Sequence, residues 1–282
     1  MRKYLSDRLT FIFFIGFIGI FLLAIFGPYL APYDYGAHHP NVDGRLAPQA
    51  PSADHLLGTN GTGQDVLSRL LFGARPTIVT GFAGGSVIVS IGLLVGVTSG
   101  YFGGQTDNVL MRIVDFAYGI PIIPTAIVLV SYIGMGFWST VLLIGLLLWR
   151  GNARVFRSQV LQIKEREHVQ AAKMLGASNR YVVIRHILPN MAGMVVLFFA
   201  LGTGLTILLT AALAFLGFMD PLTPTWGIML RNAYGSGYIS SAWWWTLPSG
   251  FAISITVLIV FMLGRGFERV TQMDEQGTIQ LE

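Results

Sequence analysis

The sequence contains no cysteine, which excludes disulfides, thiolate metal sites and cysteine nucleophiles. Charged residues make up only 11% of the 282 residues, and the only lysines are Lys3, Lys164 and Lys173. None of these lysines follows a glycine, so the G-x-x-x-x-G-K-[ST] phosphate loop of nucleotide-binding proteins is absent. The five histidines do not lie at metal-ligand spacing with a carboxylate. We therefore expect no enzymatic activity, no metal and no cofactor in this chain.

The residues that are abundant are apolar, at 53% of the chain with a mean hydropathy of +0.63. This composition is typical of a polytopic membrane protein. Six runs are long enough for the roughly 20 residues that a bilayer requires, which predicts an all-α protein with six transmembrane helices. No small-x-small cleavage site follows the first run, so we interpret it as an uncleaved anchor rather than a signal peptide. The predicted spans are 9–29, 77–100, 109–133, 137–157, 190–217 and 247–267.

The net charge of +4 reflects basic residues that lie beside these runs, not a surface for nucleic acid. Most of the 18 lysines and arginines precede the first run, follow the sixth, or fall in the polar segment 150–185. The positive-inside rule then predicts that both termini and this central segment are cytoplasmic.

The polar segment 150–190 reads as two short helices joined at Gly176, which can adopt the left-handed conformation that ends a helix. Ser178 or Asn179 can cap the second helix, which we expect to run to about Leu188 and to be closed by Pro189. The first helix is predicted from the helix-forming residues Gln170, Ala171, Ala172, Met174 and Leu175.

This segment resembles the EAA loop of the membrane subunits of binding-protein-dependent ABC importers. The family pattern is Glu-Ala-Ala, three residues, Gly, nine residues, Ile, one residue and Leu-Pro. The residues that keep this spacing are Gln170, Ala171, Ala172, Gly176, Leu188 and Pro189. Gln170 replaces the glutamate of the pattern, and His186 stands at the isoleucine position. Glu165 and Glu167 supply carboxylates about one turn upstream.

The resemblance extends to the C-type subunits of the dipeptide/oligopeptide permease branch. It is carried by the segments HLLGTNGTGQDVLSRLLFGAR, GYFGGQTDNVLMRIVD, AAKMLGASNRYVVIRHILPN and PTWGIML, and by the region of Trp243–Gly266. It implies the type I importer permease fold in an inner or plasma membrane. It also implies a second permease, two ATPases that bind ATP and Mg, an external solute-binding protein, and coupling to the ATPases through the EAA-like loop.

The resemblance implies peptides as the transported solute, with oligosaccharides or nickel as alternatives. A secondary transporter is the rival class, although neither internal repeats nor midspan charges support it. No filter-like run supports a channel. We divide the chain into residues 1–76 (first span and external segment), residues 77–268 (permease core with its coupling loop at 158–189) and a tail at 269–282.

Three further patterns, in the spans or beside them, predict local contacts and structure. Glycines recur every four residues from Gly92 to Gly104, which predicts close helix packing. Asp115 follows Arg112 by three residues, which predicts a structural ion pair. Residues 64–72 have amphipathic spacing, which predicts a helix lying on the outer membrane surface, as a structural lid or as a contact for an external partner.

The fifth predicted span carries Thr203, Thr206 and Thr210 on one helical face. A row of hydroxyls can line an aqueous translocation path. It can equally pack against another helix, with each hydroxyl bonded back to the backbone. Both interpretations stay open at the level of the sequence.

Overall fold

The computed structural model describes the backbone of residues 8–41, 44–134, 136–238 and 240–279 and is helical, with no β-strand in those ranges. A short π-helix, Val183–Ile187, lies between α7 and α8. The α-helices are α1 (Arg8–Leu30), α2 (Val66–Phe102), α3 (Gly104–Tyr118), α4 (Ile122–Ile133), α5 (Phe137–Lys164), α6 (Glu167–Met174), α7 (Asn179–Val182), α8 (Leu188–Asn190), α9 (Ala192–Leu216), α10 (Trp226–Gly235) and α11 (Trp243–Ile279).

Four of the described helices, α1, α2, α9 and α11, are long and apolar enough to cross a membrane. The bent pair of α3 and α4 would make a fifth span. α5, which matches the predicted fourth span, is 28 residues long, but its second half carries Arg150, Arg154 and Arg157. The chain is therefore a multi-pass membrane protein with four or five apolar spans by composition.

The predicted surface helix at 64–72 is wrong, because these residues form the first turns of α2. Asp65 caps that helix by accepting a hydrogen bond of 2.7 Å from the backbone N–H of Ser68. Val66 is fully buried, and Gly73 packs against the indole of Trp226, so the apolar face meets protein rather than lipid. α2 then continues through Pro76, and the predicted domain boundary at residue 76 falls inside it.

The predicted third span is not one helix, because α3 and α4 meet at 87°. Pro121 caps α4 with an extended backbone. Arg150 of α5 donates to the carbonyl of Ala117 and, over 3.2 Å, to that of Ile120. These carbonyls lie four residues before Pro121 and Pro124, and Arg150 satisfies them within the bundle.

Glycines allow α2 to lie against the backbone of α5. A Cβ added to Gly92 would lie 2.6 Å from the Cβ of Asn152, and one added to Gly96 would lie 2.7 Å from the carbonyl oxygen of Ala153. Gly100 is similarly close to α5, whereas Gly104 has open space around it and a φ of +55°. The packing prediction is confirmed for three of the four glycines, and the fourth, Gly104, begins α3 at the turn after α2.

A bidentate ion pair fastens this turn to α5. Arg157 donates to both carboxylate oxygens of Asp107 over 2.5 Å, and Ser99 donates to the same carboxylate. Lys164 at the end of α5 donates to the carbonyl of Gly100 over 3.1 Å. The end of α2 and the last two turns of α5 are therefore linked by charge as well as by packing.

At the opposite end of α2, the segment between α1 and α2 packs on the start of α11. The indole N–H of Trp244 donates to the carbonyl of Thr59 over 3.3 Å, and Trp245 is buried in a core shared by α1, α2 and α10. His55 pairs with Asp65 at 2.9 Å. This end of the molecule is thus a packed unit rather than a loose loop.

The glycine contact gives a direct test of packing between α2 and α5. Gly96→Ala would press a methyl group against a backbone carbonyl, and overpacking of this kind costs about 1–3 kcal/mol. We expect a lower thermal unfolding temperature in detergent. Gly19→Ala on α1 is the matched control, since nothing lies within 4 Å of its added Cβ. Equal unfolding temperatures for the two variants would contradict the packing.

Candidate functional site

The polar segment after α5 folds as a helical hairpin, here defined as residues 165–190. Its first arm is α6, and its return arm, residues 179–190, comprises α7, the π-helix and α8. Gly176 has a φ of +83°, its N–H bonds to the carbonyl of Lys173, and the N–H of Ala177 bonds to that of Ala172. These two bonds form a Schellman motif, the helix ending that a left-handed glycine permits.

The return arm begins as predicted, because the Ser178 hydroxyl accepts a hydrogen bond from the N–H of Tyr181. It does not stop at Pro189, which lies inside a helical turn that reaches Asn190. In an α-helix the proline ring would clash with the carbonyl four residues earlier, that of Arg185. The wider π-helix Val183–Ile187 accommodates the ring.

The hairpin is fixed to the membrane helices by a shared core. Val169 of α6 and Ile187 of the return arm are fully buried, together with Phe156 of α5. Tyr101 at the end of α2 donates to Asn179 over 2.9 Å. The hairpin is therefore packed onto α5 and bonded to the end of α2.

Gln170 points into the hairpin. Its amide nitrogen donates to the carbonyl of Lys164 over 3.0 Å and to the carboxylate of Glu165 over 3.2 Å. The carbonyl lies at the end of α5, where the last helical carbonyls lack partners. A glutamate at this position could not donate these bonds, which gives a physical reason for glutamine here.

The tip of the hairpin is apolar and exposed. Met174 and Leu175 are 82% and 88% exposed, in a segment otherwise rich in charge. Beside them lies a groove of about 700 Å³, lined by His168, Ala171, Ala172, Leu175, Gly176, Ala177, Ser178, Tyr181 and His186. Adjacent large apolar side chains at a polar tip indicate a protein-binding surface.

The remaining predicted loop residues surround this tip. Glu165 caps the end of α5, and Glu167 lies in the first turn of α6, where a carboxylate complements the helix dipole. Both are exposed. Leu188 is partly buried against the core below, and Pro189 is exposed. Of the predicted loop residues, the groove is therefore lined by Ala171, Ala172, Leu175 and Gly176, whereas Leu188 and Pro189 lie at the base of the hairpin.

The predicted partner of Asp115 is wrong. Its carboxylate pairs with Arg154 of α5, and no ion pair with Arg112 occurs in the described residues. Arg154 also stacks over Tyr118, with its guanidinium carbon 4.2 Å from the ring centre. The partner of Asp115 is thus a cation on the neighbouring helix, and not Arg112, which lies three residues earlier on the same helix.

The threonine face of α9 packs against α2. Thr203 and Thr206 are fully buried, and a Cβ added to Gly84 would lie 2.4 Å from the Thr206 methyl group. The hydroxyls of Thr206 and Thr210 donate back to the carbonyls of Gly202 and Thr206. Glycines on α2 leave room for these short side chains, so the described contacts support the packing interpretation.

Two features near the tip were not predicted from the sequence. One is the pair of rings beside the groove, Tyr181 and His186, and the other is the contact of the hairpin with Tyr101 of α2. Tyr181 and His186 face each other with ring centres 5.7 Å apart, and Lys173 lies 4.8 Å from the ring centre of Tyr101. Tyr181 and His186 are five residues apart, a separation that a π-turn permits and that α-helical spacing does not predict. Tyr101 is too distant in sequence to be assigned to the hairpin by any local pattern.

Comparison with known proteins is consistent with this geometry. The family profile described as "Binding-protein-dependent transport system inner membrane component" matches residues 92–271. A second profile, the N-terminal TM domain of oligopeptide transport permease C, matches residues 1–51.

Several curated relatives cover most of the chain. The dipeptide transport system permease protein DppC of Bacillus subtilis is 33% identical over 252 residues, 88% of this chain and 77% of the relative. The oligopeptide transport system permease protein OppC of Haemophilus influenzae is 31% identical over 256 residues, 89% and 79% of the two chains.

Among solved structures, the inward-facing MetNI methionine ABC transporter is similar with a TM-score of 0.55. The match covers 73% of this chain and 95% of that chain at 17% identity. At this identity the likeness establishes the fold alone.

The left-handed conformation of Gly176 can be tested with two substitutions. Gly176→Ala should destabilise the hairpin by about 1–2 kcal/mol, the cost of placing a Cβ in this conformation, because no neighbour lies within 4 Å to add a clash. Gly176→Asn should cost less, since asparagine enters the left-handed region more readily. Amide hydrogen exchange over α6 measures the destabilisation in both variants. Equal protection of α6 in the two variants would mean that the left-handed conformation at residue 176 does not cause it.

The inward position of Gln170 gives a second test. Gln170→Glu removes two donated bonds and puts a carboxylate beside Glu165, so we expect trypsin to cleave the hairpin about tenfold faster. Gln162→Glu is the control, because it makes the same change at an exposed position on α5. Equal cleavage rates would mean that Gln170 does not hold the hairpin closed.

Proposed function

The chain belongs to the family of binding-protein-dependent inner-membrane transport components, and on that premise we propose that it is one permease subunit of an ATP-driven peptide importer. With a second, homologous permease it would form the translocation path. Two ATPases would bind on the cytoplasmic side, and an external solute-binding protein would deliver the solute. Both chain termini and the hairpin would lie in the cytoplasm, as the positive-inside rule predicts.

The observation that carries this proposal is the exposed apolar tip, Met174 and Leu175, on a hairpin fixed to two long helices. The chain has no phosphate loop of its own, so the free energy of ATP would have to arrive through contact with another protein. Burial of two large side chains in a groove of an ATPase would supply that contact. Ala171 and Ala172 would allow close approach beside it, since neither projects beyond a methyl group.

Motion of the ATPases would reach the membrane helices through packing already described. Val169 and Ile187 share a core with Phe156 of α5, so a displaced hairpin would carry α5 with it. α5 in turn contacts α2 backbone to backbone, and Arg150 joins it to the bend between α3 and α4. A pull on the hairpin would therefore change the angle of that bend and the access of the path.

The surface that this chain would contribute to the path is the face of α9 opposite the threonines. Leu205 and Leu208 are about half exposed there. With Ile123 and Pro124 of α4 they line an apolar groove of about 520 Å³ that contains no charged side chain. A surface without fixed charges does not select among side chains, which suits peptides of varied sequence. Peptides are also named in the descriptions of the relatives.

The test is copurification and uptake in a matched pair of variants. From native membranes, the wild-type chain should recover a second permease and two ATPases. Leu175→Glu would bury an unpaired carboxylate at the contact, so ATPase recovery and uptake of a labelled dipeptide should fall by about thirtyfold, the effect of losing one binding hot spot. Leu222→Glu, at a side chain 83% exposed between α9 and α10, should change neither.

Wild-type uptake by Leu175→Glu would refute coupling through the hairpin. Reproducible purification of the chain alone, with ion-driven uptake intact, would refute the importer and favour a secondary transporter.

A further inference from the structure

A second groove, distinct from that at the tip, opens between α2 and the return arm. Its volume is about 710 Å³, and its walls are Leu93, Leu94 and Val97 on one side and Val183, Ile184 and Leu188 on the other. Leu94 and Ile184 are 70% and 53% exposed, so the chain itself leaves the groove uncovered. Covering such an apolar surface with another apolar group is favourable.

The end of the groove nearest the hairpin is polar and basic. Arg180 and Asn179 line it there, beside Tyr101, over whose ring Lys173 is held. Arg180 is exposed and makes no ion pair in the described part of the chain, and none of the lining residues is acidic. The groove therefore changes from aliphatic to cationic along its length.

We propose that this groove binds one anionic phospholipid of the cytoplasmic leaflet, with its phosphate at Arg180 and an acyl chain between α2 and the return arm. The proposal rests on the orientation given under the proposed function, which puts the basic end at the headgroup level of the anionic leaflet. Basic sites between membrane helices on this side attract anionic headgroups. A free phosphate would not account for the long apolar part of the groove.

The position of this lipid has a mechanical consequence. One wall is α2, and the other is the π-helix and its neighbours in the return arm of the hairpin. A lipid seated between them would brace the hairpin against α2, where the described polar links are the bond from Tyr101 to Asn179 and the stacking of Lys173 on Tyr101. Uptake would then depend on anionic lipid even though no solute contacts the groove.

The test measures lipid retention on the purified complex by native mass spectrometry. The complex is taken from nanodiscs of phosphatidylcholine mixed with phosphatidylglycerol, and the phosphatidylglycerol that survives detergent transfer is counted per chain. Arg180→Gln should lower this retention by about fivefold, the effect of removing one cation near an anionic surface. Arg185→Gln is the matched control, because it removes a charge from the same arm outside the groove.

A second pair of variants tests the apolar part. Ile184→Trp should fill the groove and lower retention, whereas Leu142→Trp, equally exposed on α5, should not. Equal retention of phosphatidylcholine and phosphatidylglycerol, or equal losses for Arg180→Gln and Arg185→Gln, would overturn the proposal.

A protein occupant would also overturn it. Because the chain has no native cysteine, Ile184→Cys gives a single crosslinking site, and its efficient crosslinking to a copurified permease would mean that a helix fills the groove. The ATPases recovered in the same samples report separately on the importer. A wild-type complex that retains the ATPases but no phosphatidylglycerol would contradict this proposal and leave the proposed function standing. A chain that retains phosphatidylglycerol without any ATPase would contradict the proposed function instead.

Discussion

The close approach of α2 and α5 is the contact on which the rest of the structure depends. At Gly92, Gly96 and Gly100 there is no side chain between the two backbones, and a single added carbon would meet the atoms of α5. In lipid, where apolar side chains gain little from leaving the solvent, such fit between surfaces is a main source of helix association. The ion pair between Asp107 and Arg157 closes the same contact at its polar end. Two helices of 37 and 28 residues thus form a rigid pair.

The hairpin has a fixed direction because it is built on this pair. An isolated eight-residue helix such as α6 is too short to be stable in water. Its stability comes from Val169, which is inserted into the core below, and from Gln170, which bonds to the end of α5. The exposed residues Met174 and Leu175 are consequently held out at the tip of the hairpin, beyond the core that supports it.

The sequence was informative wherever local chemistry decides the structure. The left-handed conformation at Gly176 and the cap at Ser178 follow from single residues and their neighbours, and both were predicted. The failures involve partners that are distant in sequence. Asp115 is reached by Arg154, which lies 39 residues away. The threonine face, for which the sequence left a path lining and a packing surface open, is buried because α2 presents glycines to it. The start of α2 was predicted as a separate helix on the membrane surface, because amphipathic spacing is the same whether the apolar side meets lipid or an indole from α10.

The length of α2 links the two ends of the molecule. At 1.5 Å per residue its 37 residues span about 55 Å, well beyond the roughly 30 Å of a hydrocarbon core. One end carries Asp65 and the packed segment around His55, and the other end holds Asn179 of the hairpin through Tyr101. Beyond Pro76 the helix runs without a break to Phe102, so a small tilt of this part would become a displacement of several ångströms at its end. The contacts at the two ends of α2 thus belong to one continuous helix, and a change at one end would reach the other along a single segment of the chain.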